Sequence, residues 1–293
     1  MTATSQCSRE ALVALLDIDE EAAARLVARS VTLARDGTRA ALRRLSQGSG
    51  GICGGGGGGG GRLPHGLVAA AIGPYGASVE GESEYSGRYG RRLGAPALAA
   101  WHAWRVDVLL SAGADVLAFE TVPCVTEVVA LCTLLQSRPA ARAWLSLACR
   151  SAAELQSGER LADAVDAIEQ YDISGQVEAI GVNCAAPLLA SPLLRAIRAR
   201  SPRPLVAYPN SGEVWDEWAH GWVAVGPDGA PSAESAAAGA ERFGRLARQW
   251  AADGAVLIGG CCRTRPDHIA AVARELRAAE EEGRHRHGTT LRP

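Results

Sequence analysis

With 293 residues, of which 47% are hydrophobic and 21% charged, the chain has the make-up of an ordinary globular protein able to bury a sizeable core, which excludes general disorder. Its 30 basic and 32 acidic residues leave a formal net charge of -2, so there is no electrostatic footprint for nucleic acid or for an anionic membrane surface. No run approaches the ~18 consecutive apolar residues of a membrane-spanning helix, and Met1-Thr2-Ala3-Thr4-Ser5-Gln6 lacks the basic-then-apolar pattern of a secretory signal; the expected address is the cytosol. Eight cysteines in such a setting read as thiols or metal ligands rather than as a disulfide framework.

In chain order, a helical pattern at 20–46 comes first, and in a strand-then-helix series it implies a strand before it, of which residues 1–4 are the remaining end. A glycine-rich segment, 47–61, follows and ends in the unbroken run Gly54 to Gly61. It reads as a flexible insertion, because phosphate-cradling loops follow a strand and open a helix, whereas this run does the reverse. Six apolar runs then alternate with amphipathic segments: strands at 67–72, 115–119, 143–148, 179–183, 204–208 and 255–259, and helices at 96–112, 125–137, 160–170, 188–200, 234–252 and 266–281. That alternation is the pattern of parallel strands joined by crossover helices, an α/β fold. Residues 1–280 form one domain, and 281–293 a polar, frayed tail in which His285 and His287 are solvated.

In parallel barrels, reactive groups gather where strands end. Cys184 closes the 179–183 run, Cys261 and Cys262 close the last run after Gly259-Gly260, and Cys149 closes the 143–148 run. Successive strand residues face opposite ways, so Cys261 and Cys262 share one ion only if the backbone leaves strand geometry, which the two glycines allow. Three thiolates with an open fourth position make a catalytic zinc arrangement. A buried free cysteine behaving as a small hydrophobe is the competing reading of all these positions, and it is preferred for Cys124 and Cys149. Glu120 ends the 115–119 run as either a receptor for a substrate ammonium group or a helix cap. Tyr75 and the stretch Tyr208-Pro209-Asn210-Ser211-Gly212-Glu213-Val214-Trp215 offer aromatic faces for a sulfonium or simply pack. His102 and His268 read as surface or helix-end residues.

Gly181-Val182-Asn183-Cys184, Gly259-Gly260-Cys261-Cys262 and Phe119-Glu120-Thr121 together resemble the homocysteine S-methyltransferase family. Ile72-Gly73-Pro74-Tyr75-Gly76-Ala77, Glu84-Tyr85 and Tyr208-Pro209-Asn210-Ser211-Gly212 are similar to its S-methylmethionine-using branch. The resemblance runs from residue 1 to about 280, the insertion apart. It implies a (β/α)8 TIM-type barrel, zinc on Cys184, Cys261 and Cys262, homocysteine sulfur at the open position, its amino group on Glu120, and Asn183 lining the same pocket. The implied reaction is methyl transfer from S-methylmethionine or S-adenosylmethionine to homocysteine, forming methionine; selenocysteine or another thiol is an alternative acceptor. A complete member is expected to be a monomer.

One departure stands out. The family's first strand, with its Asp-Gly-Gly turn, and the helix after it have no counterpart here, so the barrel is expected to lack them and to expose strand edges. The alternative function is therefore an inactive truncated barrel that still binds zinc. A zinc hydrolase on a barrel is disfavoured, because hydrolytic zinc relies on histidine and carboxylate ligands.

Overall fold

Strands buried on both faces need apolar residues without alternation, and Val68–Ile72 is buried at all five positions. The structure is a computed structural model that describes residues 2–3, 8–48, 66–78, 85–216, 220–225, 231–232 and 236–288. The insertion from residue 49 onward, together with Cys7, Cys53 and Glu84, lies outside the described residues.

In chain order the elements are β1 (Thr2–Ala3), α1 (Arg9–Leu16), α2 (Glu20–Gly48), β2 (Val68–Ile72), a 3-10 turn (Tyr75–Ser78), α3 (Tyr89–Ser111), β3 (Val116–Val122), α4 (Val125–Gln136), β4 (Ala143–Leu147) and α5 (Leu161–Tyr171). They continue with β5 (Val177–Asn183), α6 (Pro187–Arg198), β6 (Leu205–Tyr208), β7 (Glu213–Asp216), β8 (Gly221–Val225), β9 (Pro231–Ser232), α7 (Ala236–Ala252), β10 (Ala255–Ile258) and α8 (Pro266–Gly288). Seven strands form one sheet in the order β1-β2-β3-β4-β5-β6-β10, with every pairing parallel. This is the sequential strand order of a (β/α)8 barrel with seven of its strands. Among the described residues no pairing joins β1 to β10, so each keeps one free edge. Residues 2–3 do form the strand end expected before the first long helix, paired with Val68 and Ala69.

Alternation sorts the strand side chains into two layers. One set, including Phe119, Leu145, Leu147, Val182 and Leu205, packs outward against the helices with Phe243 and Trp250 in the main core. The other set, Ala69, Ala118, Trp144 and Val206 with Val116, Ala179, Tyr208 and Leu257, forms a smaller inner cluster. Inside, β5 and β6 approach so closely that a Cβ at Gly181 would sit 1.8 Å from the Val206 carbonyl oxygen. Only glycine fits there.

Several expectations need correction. Helix α3 starts at Tyr89 rather than 96, because a first segment runs into a kink at Gly94 (φ 77, ψ 162) and Pro96 starts the second. The polar residues 281–288 continue α8 instead of fraying, and Glu282 is tied to Arg248 of α7. His102 and His268 are buried rather than at the surface, although His268 does lie at a helix end, in the first turn of α8. His102 is 1% exposed and bonds Glu127, itself fully buried, at 2.8 Å; His268, 4% exposed, packs edge-on against Phe243. Helix α1 and the antiparallel β7-β8-β9 sheet were not anticipated.

Candidate metal centre

The centre is assembled by two strand ends 77 residues apart. Strand β5 stops at Asn183, and Cys184 takes a left-handed conformation (φ 50) that turns the chain out of the sheet. Strand β10 stops at Ile258. Gly259 still donates to the Ala207 carbonyl, but Gly260 then approaches Thr264 so closely that a Cβ would lie 2.5 Å from its side chain. The Cys261 amide bonds the Pro209 carbonyl (2.8 Å) and the Thr264 hydroxyl caps the Cys261 carbonyl (2.7 Å). The backbone thus leaves strand geometry where the paired glycines allow it, and both neighbouring sulfurs face the same point.

The three sulfurs lie within 4.8 Å of one another. Cys184 and Cys261 are 2.7 Å apart, Cys184 and Cys262 3.9 Å, and Cys261 and Cys262 4.0 Å. A zinc–sulfur bond of about 2.3 Å in a tetrahedron requires sulfur separations of roughly 3.8 Å, so two edges fit as they stand and the third must open by about 1 Å. The donor set, three thiols with Cys262 exposed and the other two half-buried, leaves one side open. Contact with Cys261, with burial acting in the same direction, raises the Cys184 thiol far above its ordinary range, and contact with Cys184 lowers Cys261 to about 7, against the opposing effect of burial on Cys261. The remaining described cysteines behave as core residues. Burial is the main cause that pushes Cys124, Cys132 and Cys149 up to about 12.

Glu120 sits beside the thiols, half-buried, and its charge acts on both Cys261 and Tyr208. It lies in the stretch where the register between β3 and β4 shifts, Phe119–Val122, next to Thr121, which adopts φ 61. A β-branched residue in that region is strained, and Asn183 holds it. The Asn183 Oδ1 accepts from the Thr121 amide (2.7 Å) and from Ser146 Oγ (2.9 Å), while Nδ2 donates to Thr121 Oγ1 (2.8 Å). Asn183 is 1% exposed. Ser146 also meets the Tyr208 hydroxyl, which accepts from Trp144 Nε1 at 3.0 Å. Burial, with Glu120 second, raises the Tyr208 phenol well above its usual range.

The other aromatic candidates divide. Tyr75 packs against Tyr89 and Trp101, with ring centroids 5.1 and 5.0 Å away. Trp222, on β8, lies under the guanidinium of Arg263 at 5.2 Å, and Arg263 Nε also bonds Glu213 at 2.8 Å. The small β7-β8-β9 sheet is therefore fastened to the residue that follows Cys262. Asn210, noticed in the sequence only as part of a turn, lies between the two cysteine-bearing loops.

A sequential parallel βα array with a three-thiol cluster at the carboxyl ends of two strands and a carboxylate beside it defines a barrel protein equipped to hold a thiophilic metal ion. The chain belongs to the homocysteine S-methyltransferase family, whose profile matches residues 1–276. It is 38% identical over 211 residues to the homocysteine S-methyltransferase YbgG of Bacillus subtilis, covering 72% of this chain and 61% of that protein. It is 42% identical over 206 residues to the homocysteine S-methyltransferase of Escherichia coli, covering 70% and 61%. The metallated form of the Escherichia coli homocysteine methyltransferase MmuM superposes with a TM-score of 0.72 at 35% identity, over 93% of this chain and 78% of that one. The chain thus spans about three fifths of the length of the first two relatives.

Proposed function

We propose that this protein is a zinc-dependent methyltransferase that moves a methyl group from a sulfonium, S-methylmethionine or S-adenosylmethionine, to the thiol of homocysteine and forms methionine. The observation that carries this reading is the convergence of Cys184, Cys261 and Cys262 within 4.8 Å, beside Glu120 and with an open side. Zinc, when held by the three thiolates, supplies the acceptor sulfur as a thiolate at neutral pH, where a free thiol of pKa about 8.5 is mostly protonated.

Everything else falls to the chain. Glu120 receives the homocysteine ammonium group and so fixes the acceptor sulfur relative to the thiols. Asn183 serves the same pocket by holding the Thr121 turn that aims Glu120. In the transfer, a carbon–sulfur bond forms to the acceptor while the donor's methyl–sulfur bond breaks and its electron pair returns to the donor sulfur. The donor's positive charge is thereby cancelled, and the acceptor's proton has already left to solvent. No acid or base is needed at that step, so the rate depends on alignment in a dry pocket. Selenocysteine or another small thiol is a chemically equivalent acceptor. The reaction is placed in the cytosol, with the chain acting as a monomer.

A second reading rests on the free edges of β1 and β10: a metal-binding barrel that does not turn over until an eighth strand closes it. Zinc content and methionine formation, measured side by side for the chain and for Cys261→Ala, separate the two. Stoichiometric zinc and methionine synthesis, both lost in the variant, are expected for the enzyme. Zinc without turnover supports the open barrel, and folded protein without zinc refutes the metal centre.

A further inference from the structure

We infer that Asn210 is a positioning residue that clamps the two cysteine-bearing loops into one site. The inference rests on the proposed metal centre, whose ligands come from loops far apart in sequence. Strands β5 and β10 do not pair with each other: each is laddered to β6, which lies between them, so the loops beyond their ends meet only across the end of β6. The bridge is made just beyond the end of β6. Asn210 Nδ2 donates to the Cys184 carbonyl at 3.2 Å, and Asn210 Oδ1 accepts from the Cys262 amide at 3.1 Å. One planar amide thus holds the backbone on either side of the cluster, with its donor toward one ligand loop and its acceptor toward the other.

The Asn210 backbone is itself fixed, because its amide donates to the Ala185 carbonyl (3.0 Å) while the next amide, of Ser211, donates to the Cys262 carbonyl (3.0 Å). Pro209 completes the set by accepting from the Cys261 amide (2.8 Å). The side chain joins the Cys184 carbonyl to the Cys262 amide directly, and it matches the local polarity at both ends. Aspartate has no donor for the carbonyl, serine lacks the paired groups, and a hydrophobe leaves both backbone groups without this partner. Groups around a metal's ligands orient them, and loss of such a partner typically costs about 10–100-fold in metal affinity.

The test uses the full chain stripped of metal and titrated with cobalt(II), read by its thiolate charge-transfer and d–d bands and by competition with a chelator. Asn210→Ala is expected to bind cobalt about 10–100-fold more weakly than the parent, with altered d–d bands. The urea midpoint of its metal-free form should change little, which a merely structural role would not produce. Asn210→Asp keeps the volume and the acceptor for the Cys262 amide but loses the donor to Cys184; it should fall between the two, and it carries the test if the alanine variant does not fold. Equal affinity and equal bands in parent and variants overturn the clamp. A parent that takes up no cobalt refutes the metal centre instead. The clamp is then judged on metal-free protein by the rate at which diamide, accepting two electrons and two thiol protons into its N=N bond, links Cys184 to Cys261. Peptide mapping should find that link forming more slowly in Asn210→Ala, and equal rates overturn the inference.

Discussion

Asn183→Ala offers a sharp test of how the Glu120 turn is built. The side chain makes three buried hydrogen bonds, two to Thr121 and one to Ser146. Ser146 keeps Tyr208 as a partner after truncation, so its loss is small. The Thr121 amide is left with no acceptor in a buried position, which costs about 1–3 kcal/mol, and the bond to Thr121 Oγ1 contributes about another 1 kcal/mol. The left-handed Thr121, worth about 1–3 kcal/mol of strain, also loses what holds it and is expected to relax. Together these give about 3 kcal/mol, which at about 2–4 °C per kcal/mol lowers the melting temperature by roughly 6–12 °C. Calorimetry reads the shift, and homocysteine titration of the same preparation reads the pocket. Thr121→Gly, which accepts a positive φ without strain, should reduce the cost of Asn183→Ala when the two are combined. An unchanged melting temperature with a raised KM for homocysteine would refute the holding of Thr121 by Asn183 and make Asn183 a direct substrate contact.

Gly181→Ala, with its Cβ 1.8 Å from the Val206 carbonyl oxygen, should prevent soluble expression or lower stability by about 3 kcal/mol or more, at the upper end of overpacking costs. Gly239→Ala, in α7 with nothing within 4 Å of the new carbon, should instead raise stability by about 0.5–1 kcal/mol in urea unfolding. Burial holds His102 below its ordinary pKa in the fold, outweighing the pull of Glu127, with Arg105 acting in the same direction as burial. The unfolded chain therefore binds a proton near pH 6.5 that the folded chain refuses, and stability should fall as pH drops below 6.5, by at most about 1.4 kcal/mol per pH unit; His102→Gln should flatten the slope, and unfolding curves at pH 7.5 and 5.5 with identical slopes for both proteins would sink the argument. Iodoacetamide at pH 7.5 on metal-free folded protein should label Cys262 first and spare Cys132 and Cys149, which are buried and pushed up to about 12; labelling of those two at the rate of Cys262, seen by peptide mass, would contradict their assignment to the core.

The parts of this molecule legible in the sequence are those whose cause is local. Buried parallel strands show as apolar runs, and the cysteine-bearing strand ends lie where those runs stop. The paired glycines at 259–260 announce that the chain departs from the strand before Cys261, as it does. What was missed depends on distant partners. His102 is polar in sequence and becomes a core residue only because Glu127, 25 residues on, faces it with Tyr89 at the same carboxylate. The hydrogen bonds that commit Asn183 to Thr121 span 62 residues, so no spacing rule reveals them. Helix α1 had a usable signal, Ser8 capping the Ala11 amide at 3.1 Å, but its eight residues are too few for periodicity to register. The β7-β8-β9 sheet alternates poorly, and its attachment through Arg263 and Trp222 is tertiary.

The last βα unit has a consequence for how the molecule comes apart. Among the described residues β10 is laddered to β6 alone, and its outer residue Val256 is 73% exposed. Its hold on the sheet is therefore weaker than that of β3, β4 or β5, each flanked on both sides. An ion gripped by Cys184, Cys261 and Cys262 closes a loop of 77 residues and removes the freedom that makes opening of this unit favourable. Metal loading then acts as a latch on this last unit, and protease resistance within β10 and α8 becomes a gauge of occupancy. A cell short of the metal would hold a population in which that unit is the first to be cut.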